Sequence, residues 1–246
     1  YSTKSNFINI LFSLIPLSFI AGNLILNLNI LLLIISAIVF YRKDIFIINF
    51  CFLDKMILIF FSFTLITGVF NNINNYSLEN SSKDFLIIIK TLLYLRFLIL
   101  YFFLRYLIKK DIINFKIFFI SSFFCVVFVS LDLILQYFYG RDIFGYQGIP
   151  RRLSGPFGDE LIAGSYLQRF TVFSFFLFPL FSKINNKKYL YLIFLLLFSL
   201  FFVSMIMAGN RMPVLLFLLT TSLAFFLEIK KKKYFIIFLL IVLIIF

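Results

Sequence analysis

Long blocks of apolar residues, rich in Phe, Ile and Leu, alternate with short polar interruptions along almost the whole chain. A helix needs about 20 apolar residues to cross the hydrocarbon core of a membrane. The pattern predicts about nine spans, at Phe7–Ala21, Leu24–Phe40, Lys55–Phe70, Asp84–Leu107, Ile117–Tyr139, Leu161–Phe181, Tyr189–Ala208 and Pro213–Leu227, with the last beginning at Tyr234. We therefore expect an all-α, polytopic transmembrane helical bundle that forms a single domain over residues 1–246.

The most conspicuous polar interruption follows the fifth predicted span and reads GRDIFGYQGIPRRLSGPFGDELIAGSYLQRF from Gly140 to Phe170. It contains five glycines before the next helix, two prolines, four arginines and three acids. Glycine and proline favour turns, and glycine lets the backbone approach a ligand closely. We expect this segment to be the working surface, presented by the apolar remainder of the chain.

The composition supports a membrane protein, since 63% of the residues are hydrophobic and only 13% are charged. Soluble proteins average roughly 45–50% and about 25%, respectively. The net charge of +13 would suggest nucleic acid as the partner of a soluble protein. In a membrane protein, basic residues collect in cytoplasmic loops instead, so we expect membrane lipid and no nucleic acid.

The basic residues separate into two sets when they are assigned to alternate loops. One set comprises Lys4, Arg42, Lys43, Lys109, Lys110, Lys116, Lys183, Lys187, Lys188 and Lys230 to Lys233. The other comprises Lys83, Arg141, Arg151, Arg152 and Arg211. The larger set is cytoplasmic by the positive-inside rule, which places the polar interruption on the outer face.

The outer set consists mostly of arginine, whose planar fork suits bidentate contact with phosphate or carboxylate. Arg151 and Arg152 precede a Gly/Pro turn, and Arg211 lies in a short turn before Pro213. These arginines are candidate ligands for an anionic substrate. The alternative is that they extend to the lipid headgroups as interfacial residues.

Further charges fall within predicted spans, among them Lys90, Arg96, Asp132 and Arg169. Ionisable groups at membrane depth are costly and usually face a cavity or a partner. Asp132 could pair with Arg96 or Arg169, and a substrate contact is equally open. For Lys90 we expect an interfacial position.

Cys51 and Cys125 both lie in apolar runs, and the chain has no histidine. Isolated buried or lipid-facing thiols fit this placement better than a disulfide or a metal pair, so we expect no metal site. The start at Tyr1 and the end within an apolar run at Phe246 indicate a fragment of a longer protein.

Two motifs resemble those of the bacterial O-antigen ligases and the related O-antigen polymerases. The segment RLSGPFGDE, Arg152–Glu160, is followed by a span and resembles the R-x-x-G-x-F segment of these families. The segment GNRMP, Gly209–Pro213, is similar to their short G-S-R turn, with Asn210 in place of the usual serine.

The resemblance implies a bacterial inner-membrane glycosyltransferase with a periplasmic working face and a polyprenyl-diphosphate-linked glycan as donor. In these families outer-face arginines hold the donor diphosphate, a role that maps onto Arg152 and Arg211, with Arg151 adjacent. The acceptor would be the lipid A core in a ligase or a growing glycan in a polymerase, and no cofactor is implied. The assisting histidine of the ligases has no counterpart here, and we expect it beyond Phe246.

An acceptor hydroxyl needs a base, and Asp159 and Glu160 are the acids next to the arginine turn. Asp159 also suits the N-cap of the sixth helix, with Glu160 in its first turn, so catalysis and capping both stay open.

A transporter or flippase of an anionic lipid-linked substrate is the alternative function. It would need charges along a path through the membrane, for which Arg96, Asp132 and Arg169 are the candidates. Transporters often contain an internal repeat with matching broken helices, and this sequence shows no convincing repeat.

Overall fold

The computed structural model describes residues 3–41, 50–75, 81–149, 152–177 and 187–228. These residues form helices and connecting loops without a strand. The helices are α1 (Thr3–Ser13), α2 (Ile15–Ile20), α3 (Asn23–Tyr41), α4 (Phe52–Asn75), α5 (Ser81–Lys109), α6 (Phe115–Tyr139), α7 (Ala163–Phe175), α8 (Lys187–Met207) and α9 (Arg211–Glu228). A single 3-10 turn, Gly155–Phe157, lies between α6 and α7. The all-α prediction is therefore confirmed for the described residues.

Within the described residues, five helical segments are long and apolar enough to cross a membrane. They are Thr3–Ile20, Asn23–Tyr41, Phe52–Asn71, Ile89–Lys109 and Phe115–Tyr139. The sixth predicted span corresponds to the 13-residue helix α7, and the seventh and eighth contain the shorter apolar helices Leu192–Met207 and Arg211–Leu223. The ninth predicted span lies outside the described residues. The structure thus supports a membrane protein with transmembrane helices, and in the described part of the chain five helical segments, the first of them formed by α1 and α2 together, have the required length.

The first predicted span is interrupted in the structure, because α1 ends at Ser13 and α2 begins at Ile15. Pro16 occupies the first turn of α2. Proline has no N–H to donate and its ring crowds the carbonyl four residues earlier, so the chain restarts its helix at this position.

The chain divides into two compact units, Tyr1–Phe12 with Asn27–Asn114, and Ser13–Leu26 with Phe115–Phe246. In the first unit, α4 packs along α5. Asp54 on α4 is fully buried, accepts a 2.8 Å hydrogen bond from the Tyr101 hydroxyl and forms an ion pair with Arg105. Tyr101 and Arg105 lie one turn apart on α5, so both reach the same carboxylate.

In the second unit, α6 packs along α7, and α8 contacts both. Helix α9 completes this packing against α7 and α8. The fully buried apolar side chains of the unit include Val126, Val129, Leu133, Leu167, Phe201, Met205 and Phe217. This core supports the end of α6 and the start of α7, between which the polar interruption lies.

The predicted cap of the sixth helix is wrong. Helix α7 begins at Ala163 after Ile162, which makes no side-chain capping bond, so Asp159 does not cap it. The residues before α7 form two tight turns. The Glu160 N–H donates to the Phe157 carbonyl at 3.2 Å, and the Ile162 N–H donates to the Glu160 carbonyl at 2.9 Å. Gly158 lies within the first of these turns and adopts φ +63°.

Candidate functional site

The segment between α6 and α7, residues 140–162, forms a folded loop that we call the arginine loop; residues 150 and 151, and therefore Arg151, lie outside the described part. Its first half is a small hairpin. The Asp142 N–H donates to the Tyr146 carbonyl at 3.0 Å, and the Gly148 N–H to the Gly140 carbonyl at 3.2 Å. Arg152 then donates its N–H to Ile149 at 2.9 Å.

Two buried side chains of α6 accept hydrogen bonds from the backbone of this loop. The Asp132 Oδ1 atom accepts the Ile143 N–H at 2.8 Å. The Gln136 Oε1 atom accepts the Gly155 N–H at 2.8 Å. Asp132 is fully buried and Gln136 nearly so, and because they are four residues apart they share one face of α6. The loop backbone is thus attached to the helix at two points.

An ion pair of Asp132 with Arg169, one of the alternatives that the sequence left open, is not found: no lysine or arginine in the described part of the second unit pairs with Asp132. Arg169 is exposed on α7. The Asp132 carboxylate binds the backbone of the arginine loop instead. Arg96 belongs to the first unit, where its guanidinium carbon lies 4.9 Å from the centre of the Phe97 ring.

Four charged side chains of the arginine loop are exposed, namely Arg141, Arg152, Asp159 and Glu160. Asp142 is buried, and its Oδ1 atom accepts the Tyr146 N–H. Glu160 accepts a 3.3 Å hydrogen bond from Asn23, the first residue of α3. The loop therefore presents both cationic groups and carboxylates on one short segment.

The second arginine turn connects α8 and α9. Gly209, at φ +74°, follows the last helical residues of α8 as a left-handed C-terminal glycine, and its N–H donates to Ile206 at 3.0 Å. Arg211 is the first residue of α9 and is exposed. Pro213 falls in the first turn, as predicted, where a missing N–H costs nothing.

This turn contacts the start of α7, which is the end of the arginine loop. The Asn210 Nδ2 atom donates to the Leu161 carbonyl at 3.1 Å. A Cβ atom built on Gly164 would lie 3.4 Å from the Ala208 Cβ and 3.5 Å from the Pro213 Cγ. The α8–α9 turn therefore lies within packing distance of α7, with room at Gly164 for a methyl group. The loop of Arg152 and the turn of Arg211 therefore meet at the same end of the second unit.

No protein-family model, curated protein or solved structure matches the chain. The candidate site is defined by its own geometry: Arg152 and Arg211 are exposed, and the turn that bears Arg211 contacts the end of the arginine loop and the start of α7 through Asn210, Leu161 and Gly164.

Among the described residues there is no group of three or more His, Cys, Asp or Glu side chains placed to hold a metal ion. Cys51 is exposed and Cys125 is buried, and both are free thiols. The polar groups available at the site are guanidinium N–H donors, two carboxylates and backbone amides. Such a set suits an anion together with a group that gives up a proton.

Sequence reasoning missed the side chains that hold the site together. Gln136 and Asn210 each bind backbone of the arginine loop, and neither carries a charge that would have drawn notice. A signal for Gln136 was its spacing of four from Asp132 at the outer end of a predicted span. The Asp54–Arg105 pair was also missed, although its opposite charges lie in consecutive spans.

Proposed function

We propose that the chain is the transmembrane part of a glycosyltransferase that moves a glycan from a polyprenyl diphosphate to an acceptor hydroxyl. Arg152 and Arg211 would bind the diphosphate of the donor. One observation carries the proposal: the turn that bears Arg211 contacts the end of the loop that bears Arg152, through the 3.1 Å hydrogen bond from Asn210 to Leu161. The likeness of both turns to motifs of the O-antigen ligases and polymerases supports the same assignment.

The proposed chemistry follows from the charges. When the glycosidic bond to the diphosphate breaks, negative charge develops on the leaving oxygen. Fixed arginines stabilise that charge without reorganising during the reaction, and their paired N–H groups suit phosphate oxygens. The acceptor hydroxyl must lose a proton, for which Asp159 is the better placed carboxylate, because Glu160 already accepts the hydrogen bond from Asn23.

The proposed topology has about nine spans, as the apolar pattern predicts, in a bacterial inner membrane with the arginine loop on the periplasmic face. In this arrangement the acceptor is the lipid A core for a ligase, or a growing glycan for a polymerase. Lysine-rich loops would face the cytoplasm.

Single cysteines test this topology in a chain whose Cys51 and Cys125 are replaced by serine. With a membrane-impermeant maleimide added to the periplasm, we expect Gln147→Cys in the arginine loop to be labelled. Lys109→Cys, at the end of α5, should be labelled only after the membrane is opened. Labelling of Lys109→Cys in intact cells, with Gln147→Cys protected, would show that the topology is the opposite of the proposed one.

The function is tested by Arg152→Ala and Arg211→Ala in the full-length protein, with surface polysaccharide as the readout. We expect each variant to lose surface glycan while its abundance in the membrane is unchanged. Arg152→Lys and Arg211→Lys should recover it only in part, because lysine cannot form the bidentate contact. The control Lys109→Ala removes an exposed charge from the other face and should retain the glycan.

Normal surface glycan in both alanine variants would refute the proposed function. Movement of the lipid-linked substrate across reconstituted vesicles, without formation of a glycosidic bond, would favour the transporter instead.

A further inference from the structure

Gln136 contacts the arginine loop at more than one place. Its Oε1 atom accepts the Gly155 N–H at 2.8 Å, and its Nε2 atom lies 3.4 Å from the Tyr146 carbonyl and 3.5 Å from the Ser154 hydroxyl. The shortest of these is the strong contact, and the other two are near the limit for a hydrogen bond. One amide therefore links α6 to both halves of the loop.

The Gly155 N–H has a particular need for this acceptor. Gly155 is buried and has φ +56°, and a Cβ atom at this position would lie 3.3 Å from Leu133 and 3.8 Å from the Asp132 Oδ2 atom. The backbone thus passes directly over α6, where water cannot replace a lost partner. A buried N–H without an acceptor costs more free energy than the hydrogen bond itself contributes.

Arg152 lies between two fixed points of the loop. The first is the contact of Gly148 with the Leu153 side chain, since a Cβ atom on Gly148 would lie only 2.7 Å from Leu153 Cδ2. The second is the hold of Gln136 on Ser154 and Gly155. Loss of the second point would leave the segment held by the Gly148–Leu153 contact and by the Arg152 N–H on the Ile149 carbonyl, and no hydrogen bond of the described residues joins Arg152 directly to Gln136.

We propose that Gln136 is the positioning residue of the site: it sets the Ser154–Gly155 turn on α6 and so fixes where Arg152 meets the donor diphosphate. This inference rests on the proposed function for the identity of the ligand. The anchoring itself is independent of that function. Gln136 acts through the loop and does not touch the reacting atoms.

The test compares Gln136→Met with Gln136→Glu and with the matched control Gln147→Met in the full-length protein. Methionine keeps the length of the side chain and removes both hydrogen-bonding atoms, whereas glutamate keeps an acceptor for the Gly155 N–H. Gln147 is exposed in the same loop, and its side chain makes no hydrogen bond among the described residues. Two readouts are followed: trypsin cleavage after Arg152, and transfer kinetics with a polyprenyl-diphosphate glycan.

We expect Gln136→Met to be cleaved after Arg152 faster than the parent protein and to raise the KM for the lipid donor about tenfold, which corresponds to roughly 1.4 kcal/mol. The kcat should change little, and Gln136→Glu should recover most of the affinity. If Gln136→Met only reduced the fraction of folded protein, the apparent kcat would fall and the KM would stay constant. Gln147→Met should behave as the parent in both readouts.

Parent-like cleavage and KM in Gln136→Met would overturn the positioning role, even if Arg152→Ala abolishes transfer and the proposed function stands. A lowered kcat with unchanged KM, not rescued by glutamate, would likewise overturn it. Conversely, faster cleavage of Gln136→Met together with normal transfer by Arg152→Ala would uphold the anchoring and refute the proposed function.

Discussion

Arg152 and Arg211 both lie in segments that a side-chain hydrogen bond joins to another element. Each is exposed beside a positive-φ glycine, Gly155 and Gly209, and each turn is fixed by a side-chain amide, Gln136 or Asn210. An arginine that merely extends to the headgroups needs no such fixed backbone. The local order around both residues therefore favours binding of a defined anion.

Asp159 is the residue for which the structure changes the interpretation most. The sequence left capping and catalysis open, and capping is excluded because α7 begins at Ala163 behind Ile162. Asp159 is exposed, and among the described residues no hydrogen bond uses its carboxylate. A carboxylate in that condition is available to accept a proton.

We therefore predict that Asp159→Asn lowers the kcat of transfer by about 100-fold or more, the usual contribution of a general base. The KM for the lipid donor should stay within a factor of about two, because asparagine has a similar shape and the arginines are untouched. Glu160→Gln, on the adjacent carboxylate, serves as the matched comparison and should lose less. A wild-type kcat in Asp159→Asn would show that the general base lies outside this loop.

At the scale of elements, the contact of α7 with the α8–α9 turn decides whether two arginine turns form one site. Gly164 allows the approach, because a Cβ atom there would already be 3.4 Å from Ala208 and 3.6 Å from the Asn210 Cβ. A larger side chain would push the turn away from α7. The Asn210–Leu161 hydrogen bond, at 3.1 Å, would then be lost.

Gly164→Leu is predicted to weaken donor binding about tenfold or more, while Gly164→Ala retains most of it, because a single methyl group stays within ordinary packing distance. Donor affinity of the purified protein measures both. Ser165→Leu, one position along α7 on a side chain that is only half-buried, is the matched control for added volume. Equal affinity in Gly164→Leu and the parent would show that the two turns bind independently.

The helix positions were predictable in part: eight apolar blocks overlap described helices, but the first is divided between α1 and α2 and the sixth is longer than the 13-residue α7. The fifth block, Ile117–Tyr139, differs from α6 by two residues at its start. The interruption at Pro16 and the late start of α7 were not predicted. Both depend on backbone conformation: a proline that ends one helix segment, and glycines at positive φ that redirect the chain before Ala163. Composition alone does not reveal which glycine adopts such a conformation.

The candidate site was predictable by residue type and less so by contact. Arg152 and Arg211 were found because their charge contrasts with the apolar chain. For Asp132 an arginine partner and a substrate contact were both open, and the structure shows the Ile143 N–H as its hydrogen-bond donor. A backbone partner leaves no trace in the sequence, because every residue except proline offers the same donor.

At the scale of the whole molecule, five helices of the described residues can cross a bilayer, and the arginine site is formed entirely by residues of the second unit. The first unit has its own buried polar centre at Asp54, Tyr101 and Arg105. The proposed donor has a long hydrocarbon chain and a charged diphosphate. The hydrocarbon chain would lie in the lipid around the apolar helices, and the diphosphate would bind the exposed arginines of the second unit.

Arg152 and Arg211 are proposed to bind one diphosphate together. A double-mutant cycle of donor binding tests this most directly. Affinity for a polyprenyl diphosphate would be measured with the purified full-length protein, Arg152→Ala, Arg211→Ala and the double variant. We predict that each single change weakens binding at least about tenfold, and that the double variant loses less than the sum of the two, because residues that share a ligand are coupled. Unchanged affinity in either single variant, or strictly additive losses, would contradict a shared diphosphate site.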